Sequence, residues 1–495
     1  MNTHQSGADT LSRPEDEKLS VTANLAYGFQ HVLTMYGGIV AVPLIIGQAA
    51  GLSPAEIGLL ITASLFAGGV ATVLQTIGIP FFGCQLPLVQ GVSFSGVATM
   101  VAIVTSSQTG EAGLQVVLGA VIAAAVIGLI ITPIFSRITR FFPPLVTGIV
   151  ITTIGLTLMP VAAGWAMGGN RSAPDFGSQA NILLAAVTLV IVLLLSKLGS
   201  AAISRLSILL AIIIGTGIAH AVGIADFSRV ISGPFVALPQ IFHFGYPVFD
   251  TAAIISMCIV IMVTLVETSA DILAVGEIVG TKVDARRLGN GLRADMLSSI
   301  LAPVVGSFTQ SAFAQNVGLV AVTGIKSRFV VATGGLFLVA LGLLPIVGRI
   351  VAAVPSSVLG GAGLVLFGTV AASGIRTLAK VDYENNMNLI IVATSIGFGM
   401  IPIASPGFYE HFPAWVITIF HSGISSAALM AIALNLLFNH LTTGNSDQQS
   451  VFVAGTERLI RYQDIAGLHD GDYFLNGKLY DANGAEVPLV SAEAH

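Results

Sequence analysis

Residues 308–328 read FTQSAFAQNVGLVAVTGIKSR, an apolar stretch broken by the adjacent carboxamides Gln315 and Asn316. A helix that crosses a bilayer needs about 20 mostly apolar residues. Two amides that faced lipid would be costly, whereas together they offer donors and acceptors in a fixed geometry. Irregular backbone at membrane depth is tolerated only where protein or a cavity satisfies it. The stretch therefore predicts a broken helix beside a polar binding site, with a hydrogen-bonded seam between helices as the alternative.

The rest of the chain has the composition of a membrane protein. Of its 495 residues, 54% are hydrophobic and only 9% are charged, whereas a soluble domain carries about 25% charged residues. We predict an all-α polytopic membrane protein with fourteen spans. Their approximate limits are 24–47, 54–77, 84–104, 113–136, 143–163, 180–196, 206–224, 251–277, 294–306, 312–325, 329–348, 355–375, 386–404 and 415–437.

The positive charges give this map an orientation, because Lys and Arg accumulate in cytoplasmic loops. The first 20 residues are polar and contain no signal-peptide core. With the N-terminus inside, all of the 20 Lys and Arg residues except Arg171, Arg229 and Arg349 fall on the cytoplasmic side. We therefore expect a multi-pass protein of the cytoplasmic (inner) membrane with both termini in the cytoplasm. Cys84 and Cys258 lie in apolar stretches, and we expect no disulfide, metal, cofactor or nucleic-acid partner.

Two distant stretches share a pattern that predicts an internal repeat. Residues 85–92 (QLPLVQGV) and residues 310–317 (QSAFAQNV) both fit Q-x4-Q-x-V, in spans 3 and 10. Repeats that are seven spans apart must have opposite orientations in the membrane, as in many secondary transporters. We expect residues 22–225 and 245–438 to form these two repeats. Residues 1–21 and 439–495 would be cytoplasmic tails, and the second tail would be either disordered or a small β-meander with turns at its two Asn-Gly pairs.

Ionisable groups inside spans are costly, and each is a candidate for function. Glu267 and Asp271 lie four residues apart and therefore on one helical face. Burial and a like-charged neighbour both favour a protonated carboxyl group, which suits proton coupling; a structural pair with a partner helix is the alternative. Asp295 is expected at the start of the short span 9, after the basic segment 281–293, where capping is as plausible as function. His31, beside Gln30 in span 1, is either functional or a helix–helix contact.

Residues 315–324, QNVGLVAVTG, resemble the signature of the nucleobase–ascorbate transporters, which is Gln-Asn-x-Gly followed after four residues by Thr, here Thr323. The resemblance continues through the Gln30-His31 segment, residues 90–94 (QGVSF), residues 267–271 (ETSAD) and Asp295. It implies two inverted seven-span repeats, with spans 1–4 and 8–11 as a core domain and spans 5–7 and 12–14 as a gate domain. It also implies short strands in spans 3 and 10, and a homodimer.

The resemblance further implies roles for individual residues. Glu267 and Gln315 would hold the base. Independently of the resemblance, we expect Phe94 to stack on the base. The other substrate-binding positions would be Ser93, Asn316, Val317 and Gly318. Asp271, Asp295 and His31 would serve proton coupling or conformational change, and Gln90, Gln30 and Thr323 would support the site.

The pairing of Gln315 with Glu267 resembles the purine carriers for xanthine or urate, since uracil carriers tend to place Glu at the motif position. Ser93 stands where strict xanthine carriers have Asn, and its small side chain would leave room for the C8 oxygen of urate. We therefore expect a proton-coupled symporter for urate first and xanthine second, with another nucleobase such as uracil as the alternative. Two other classes remain: an intramembrane enzyme that uses Glu267 and Asp271 as acid and base, and an anion carrier or channel, which an acidic pair disfavours.

Overall fold

The computed structural model describes residues 13–107, 110–135, 143–228, 230–231, 233–383, 386–440, 472–475, 478–480 and 486–487. Its helices are α1 Val21–Ala49, α2 Pro54–Ile77, α3 Val97–Ser107, α4 Glu111–Ile131, α5 Pro144–Ala166, α6 Gln179–Leu198, α7 Ala201–Arg205, α8 Ser207–Ala221, α9 Thr251–Val279, α10 Ala285–Leu301, α11 Ala314–Thr323, α12 Arg328–Gly342, α13 Pro345–Ala352, α14 Ser356–Leu378, α15 Asn386–Ala404, α16 Ala414–Phe420 and α17 Gly423–Asn435. Its strands are β1 Gln90–Val92, β2 Gln310–Ala312, β3 Tyr473–Leu475, β4 Lys478–Tyr480 and β5 Glu486–Val487.

Eight helices of the described part are long and apolar enough to cross a membrane, or nine if the bent pair α12–α13 counts as one span. This confirms a helical, multi-pass membrane protein. The predicted limits of the long spans are close to those observed: α2 begins at Pro54 because Ser53 and Glu56 form a capping box. The remaining predicted spans contain helices that are shorter or broken.

The interruptions predicted in spans 3 and 10 are present. In the first, β1 is followed by a 3₁₀ turn at Phe94–Gly96 and then by α3. In the second, β2 is followed by α11. The two strands pair antiparallel, with Gln90 opposite Ala312 and Gly91 opposite Ser311, so the ladder satisfies backbone groups that the broken helices leave free.

The expected position of Asp295 at a helix start is wrong. Helix α10 begins ten residues earlier, at Ala285, because Asp284 Oδ1 accepts the N–H of Arg287 at 2.7 Å and caps it. The Gly and charged residues of segment 281–293 suggested a loop, but most of them form the first turns of this helix. Asp295 consequently lies in the second half of α10 and is only 1% exposed.

Close helix contacts run through the membrane part. Helix α5 packs along α14, and α2 packs along α12 and α13. Glycines permit these contacts: a Cβ on Gly155 would collide with the backbone of Ala371, and one on Gly374 with the backbone of Thr152. Helices α6, α15 and α17 adjoin the α5–α14 pair, whereas α4 packs against α9 and α10.

Residues 446–495 form a separate compact unit. Strands β3, β4 and β5 are consecutive and antiparallel in a three-stranded sheet. A small β-meander was one of the two alternatives predicted for this tail. The Asn-Gly pairs expected to form its turns, Asn476-Gly477 and Asn483-Gly484, lie outside the described residues.

Candidate functional site

A cavity of about 630 Å³ lies between α9 and α14, beside the β1–β2 ladder. One face of helix α9 forms a stripe along the cavity wall. The stripe carries the two predicted carboxylates and three apolar residues on successive helical turns. The stripe consists of Glu267, Ala270, Asp271, Ala274 and Ile278. Glu267 Oε2 and Asp271 Oδ2 are buried and have no hydrogen-bond partner among the described residues. Both carboxyl groups are therefore available to a proton or to a polar ligand.

The broken helices form the inner end of the cavity. Val92 and Phe94 line it from the first interruption, and residues 311–315 line it from the second. The backbone N–H of Ser93 donates to Thr309 O at 2.8 Å, and that of Phe313 donates to Val89 O at 3.1 Å, which holds the two interruptions together. The first N–H groups of a helix have no partner inside it and carry the positive end of its dipole. The start of α11 thus presents N–H groups at the cavity that Glu267 also lines.

The two adjacent amides have different surroundings. Gln315 lines the cavity together with Val317 and Gly318. Asn316 is fully buried, and its Nδ2 donates to His31 Nδ1 and to His31 O, both at 3.0 Å. Because an amide nitrogen only donates, Nδ1 of His31 accepts. The structure therefore places Asn316 and His31 in a contact between α11 and α1, which is the helix-seam arrangement, and away from the cavity.

Asp295 also lies behind the wall. Its carboxylate accepts from Thr268 Oγ1 at 2.7 Å and from Gln75 Nε2 at 3.2 Å. The Thr268 hydroxyl oxygen in turn accepts the N–H of Ala312 at 3.3 Å. Asp295 thus connects α2, α9 and α10, and through Thr268 it positions the strand that precedes Gln315.

Ser93 does not line the cavity. Its hydroxyl lies 2.6 Å from Ser95 Oγ and accepts the Ser95 N–H at 3.2 Å, and Ser95 Oγ lies 2.8 Å from Thr264 Oγ1. Since Ser93 is only 1% exposed, its size does not enlarge the described cavity directly. Its neighbour Phe94 does line the cavity, and the Phe94 ring lies 6.2 Å from that of Phe367 on α14.

The three residues predicted to support the site are not on the cavity wall. Gln90 is buried in β1, and both polar atoms of its side chain lack a partner among the described residues. Thr323 ends α11, and its hydroxyl donates to Leu319 O at 2.8 Å. Gln30 accepts through its backbone oxygen from Thr34 Oγ1 at 2.9 Å.

Helix α14 supplies a wall that the sequence analysis missed. Its lining residues are Thr369, Val370, Ser373, Arg376, Thr377 and Lys380, the last of them just past the helix end. The spacing of three, four and seven residues between the polar members was a detectable signal of one polar face. Nothing in the sequence, however, relates that face to Glu267, which is more than 100 residues away.

A second cavity, of about 470 Å³, reaches Gln315 from another side. It shares Gln315, Gly318 and Thr369 with the first cavity. Its remaining wall comes from α1, α11, α14 and the region of α6 to α8, including Arg205 and three serines. Gln315 therefore stands where the two cavities meet.

Several known proteins are similar to this chain. A family model described as "Permease family" matches residues 22–408. The chain is 39% identical to the uric acid transporter UacT of Escherichia coli (strain K12), over 88% of this chain and 90% of that protein. It is also 39% identical to the xanthine permease of Bacillus subtilis (strain 168), over 87% of this chain and 97% of that protein.

Among solved structures, the transmembrane domain of the cyanobacterial bicarbonate transporter BicA has a similar fold. Its TM-score is 0.59 at 16% identity, over 84% of this chain and 100% of that domain. At so low an identity, the similarity concerns the fold alone.

Proposed function

This chain belongs to the nucleobase–ascorbate transporter family and is a transporter of purines rather than an enzyme, and on that premise we propose that it imports urate or xanthine together with a proton. The observation that supports the proposal is the presence of Glu267 and Gln315 on the wall of one cavity. Its volume of about 630 Å³ is within the usual range of small-molecule sites.

The chemistry of the wall suits an oxopurine. Such a base displays ring N–H donors and carbonyl acceptors along its edges. The Glu267 carboxyl group faces the donors, whereas the Gln315 amide and the free N–H groups at the start of α11 face the acceptors. Phe94 offers a ring for stacking on the base.

The same cavity wall supports the proposal of proton coupling. Glu267 and Asp271 are four residues apart and lack partners for one oxygen each among the described residues. A proton on this pair removes the repulsion between two buried carboxylates. We propose that substrate and proton bind together and that release of one promotes release of the other.

We further propose alternating access by two inverted repeats, residues 22–225 and 245–438. Fourteen segments result if the broken and short helices are counted with the long ones. The repeats are supported by matching elements: α1 and α9 each have 29 residues, and β1–α3 corresponds to β2–α11. Spans 1–4 and 8–11 would form a core domain that moves against a gate domain of spans 5–7 and 12–14. A homodimer and an inner-membrane location with both termini cytoplasmic belong to the same proposal.

We rank urate before xanthine. The relatives reported above include carriers named for each of them, and a uracil carrier remains the alternative. Since Ser93 lies behind Phe94, its small size would act on the substrate through the Phe94 ring rather than by contact.

The test is uptake of radiolabelled urate, xanthine, uracil and ascorbate by cells that express the chain, compared with cells that carry an empty vector. We expect uptake of urate and xanthine and mutual competition between them. Uptake of uracil alone would show that the substrate is a pyrimidine rather than a purine. Uptake of none of the four compounds would refute the proposed function.

A further inference from the structure

Three cations line the two cavities that meet at Gln315. Arg376 and Lys380 belong to the first cavity, and Arg205 belongs to the second. All three come from α7 and the end of α14, whereas the carboxylates Glu267 and Asp271 face the first cavity from α9. The two walls of the first cavity thus carry opposite charge.

The position of Arg376 and Lys380 along the first cavity is defined by the two helices that flank it. Residues 369–380 line it from α14 and residues 267–278 from α9, so the cavity follows each helix for about 16 Å at 1.5 Å per residue. Glu267 and Thr369 mark its inner end. Arg376 and Lys380 mark the other end, where α9 and α14 finish and where the positive-inside rule places the cytoplasm.

These cations have no neutralising partner in the described part of the chain. The ion pairs found there within 4.0 Å involve Arg13, Arg287 and Arg328. Arg205, Arg376 and Lys380 form none of them and donate no side-chain hydrogen bond in that part. The positive-inside rule accounts for their side of the membrane but not for their place on a cavity wall. Lys197, at the end of α6, is equally cytoplasmic by that rule and lines neither cavity.

We propose that Arg205, Arg376 and Lys380 form a cationic vestibule on the cytoplasmic side of Gln315 that favours a purine carried as an anion, so that urate enters the site from the cytoplasm more readily than xanthine. The inference rests on the proposed function. Near neutral pH urate is mainly a monoanion, whereas xanthine is mainly neutral. A cleft lined by one sign of charge concentrates a ligand of the opposite sign and accelerates its association. The coupled proton on the α9 pair cancels the repulsion that the same anion would meet there.

The experiment measures urate and xanthine uptake into inside-out membrane vesicles, whose outer surface is the cytoplasmic one, so that substrate and salt reach the vestibule first. The vesicles contain the unaltered chain, the double variant Arg376→Gln/Lys380→Gln, or the matched control Lys197→Gln. We expect the double variant to lower the ratio of urate to xanthine kcat/KM by about tenfold at low ionic strength, and by less at high salt. Lys197→Gln should leave the ratio unchanged. A ratio that stays constant in the double variant while both purines are transported would overturn the vestibule and leave the proposed function standing.

A charge-conserving variant, Arg376→Lys/Lys380→Arg, covers the case in which the double variant transports neither purine. Recovery of both uptake and the original ratio would support the role of charge. Absence of recovery would show that these side chains are needed for their shape, and it would refute the vestibule. If the unaltered chain transports neither purine, the proposed function fails first and the vestibule fails with it.

Discussion

At the scale of single residues, the contrast between Gln315 and Asn316 gives a direct test. Gln315 borders both cavities, whereas Asn316 is hydrogen-bonded to His31. Gln315→Ala should raise the KM for urate about tenfold, since a lost hydrogen bond to a bound ligand costs about 1–1.5 kcal/mol. Asn316→Ala should instead lower the melting temperature in detergent, because it removes both hydrogen bonds to His31. Uptake kinetics and thermal unfolding of both variants check this, and the opposite pattern would place Asn316 in the binding site.

Sequence reasoning located this site but could not orient its side chains. Two adjacent amides in an apolar stretch predict a polar function, yet successive helical residues point about 100° apart, so only one of them could face the ligand. The β1–β2 register fixes which one, and that register depends on residues more than 200 positions apart. For the same reason the sequence pointed to Ser93 and Asp295 but not to their hydrogen-bond partners, which are Ser95 for Ser93, and Thr268 and Gln75 for Asp295.

At the scale of elements, the short 3₁₀ helix Pro14–Asp16 joins segments that are distant in sequence. Glu15 is fully buried, and its Oε1 lies 2.6 Å from Arg287 Nη2 at the start of α10. Arg287 also donates to Cys84 O at 2.6 Å and to Gln85 O at 2.8 Å, ahead of β1. This segment therefore holds the start of α10 to the chain that leads into the first broken span.

Asp16 makes a similar connection. Its Oδ1 lies 2.6 Å from Arg328 Nε. Nη1 of the same arginine donates to Thr76 O and Ile77 O at the end of α2. Partial burial raises the pKa of Asp16, but hydrogen bonds and the charges of Arg13 and Arg328 outweigh it, so the pKa lies below its ordinary value of 3.8. The stabilisation by Asp16 is therefore present above that value and is lost as the pH falls through the lowered pKa.

We predict that Glu15→Ala destabilises the protein by about 3 kcal/mol, because it leaves Arg287 as a partly buried charge without its ion-pair partner. The exposed neighbour Glu17 offers a matched control, and Glu17→Ala should be nearly neutral. Thermal unfolding of the purified variants in detergent measures both effects. Equal melting temperatures for the two variants would show that the N-terminal segment does not stabilise the membrane part.

The elements themselves were predictable to different degrees. Long apolar helices such as α2 and α15 follow from hydropathy, and the capping box of Ser53 and Glu56 also fixes the start of α2. The bend of 79° between α12 and α13 was not foreseen, although Pro345 at the first position of α13 marks it. The start of helix α10 was predicted too late in the chain because its first turns are polar. The apolar run that indicates a span begins only after those turns.

At the scale of the whole molecule, composition indicates a multi-pass membrane protein, and the match of residues 22–408 to the permease family model shows the family that the spaced motifs suggested. The cavity required the structure, because its walls come from α9, α11 and α14 and no local pattern relates them. Our central proposal is that Glu267 binds the purine and takes part in carrying the proton, so that the two move together.

The most direct test is urate accumulation by proteoliposomes that contain the purified chain, with an imposed proton gradient. The unaltered protein and Glu277→Gln, an exposed carboxylate on the same helix α9, should accumulate urate, and a protonophore should abolish this accumulation. Glu267→Gln should accumulate none while reconstituting in equal amount. Accumulation by Glu267→Gln at the unaltered rate, or accumulation by the unaltered protein that ignores the protonophore, would contradict the account.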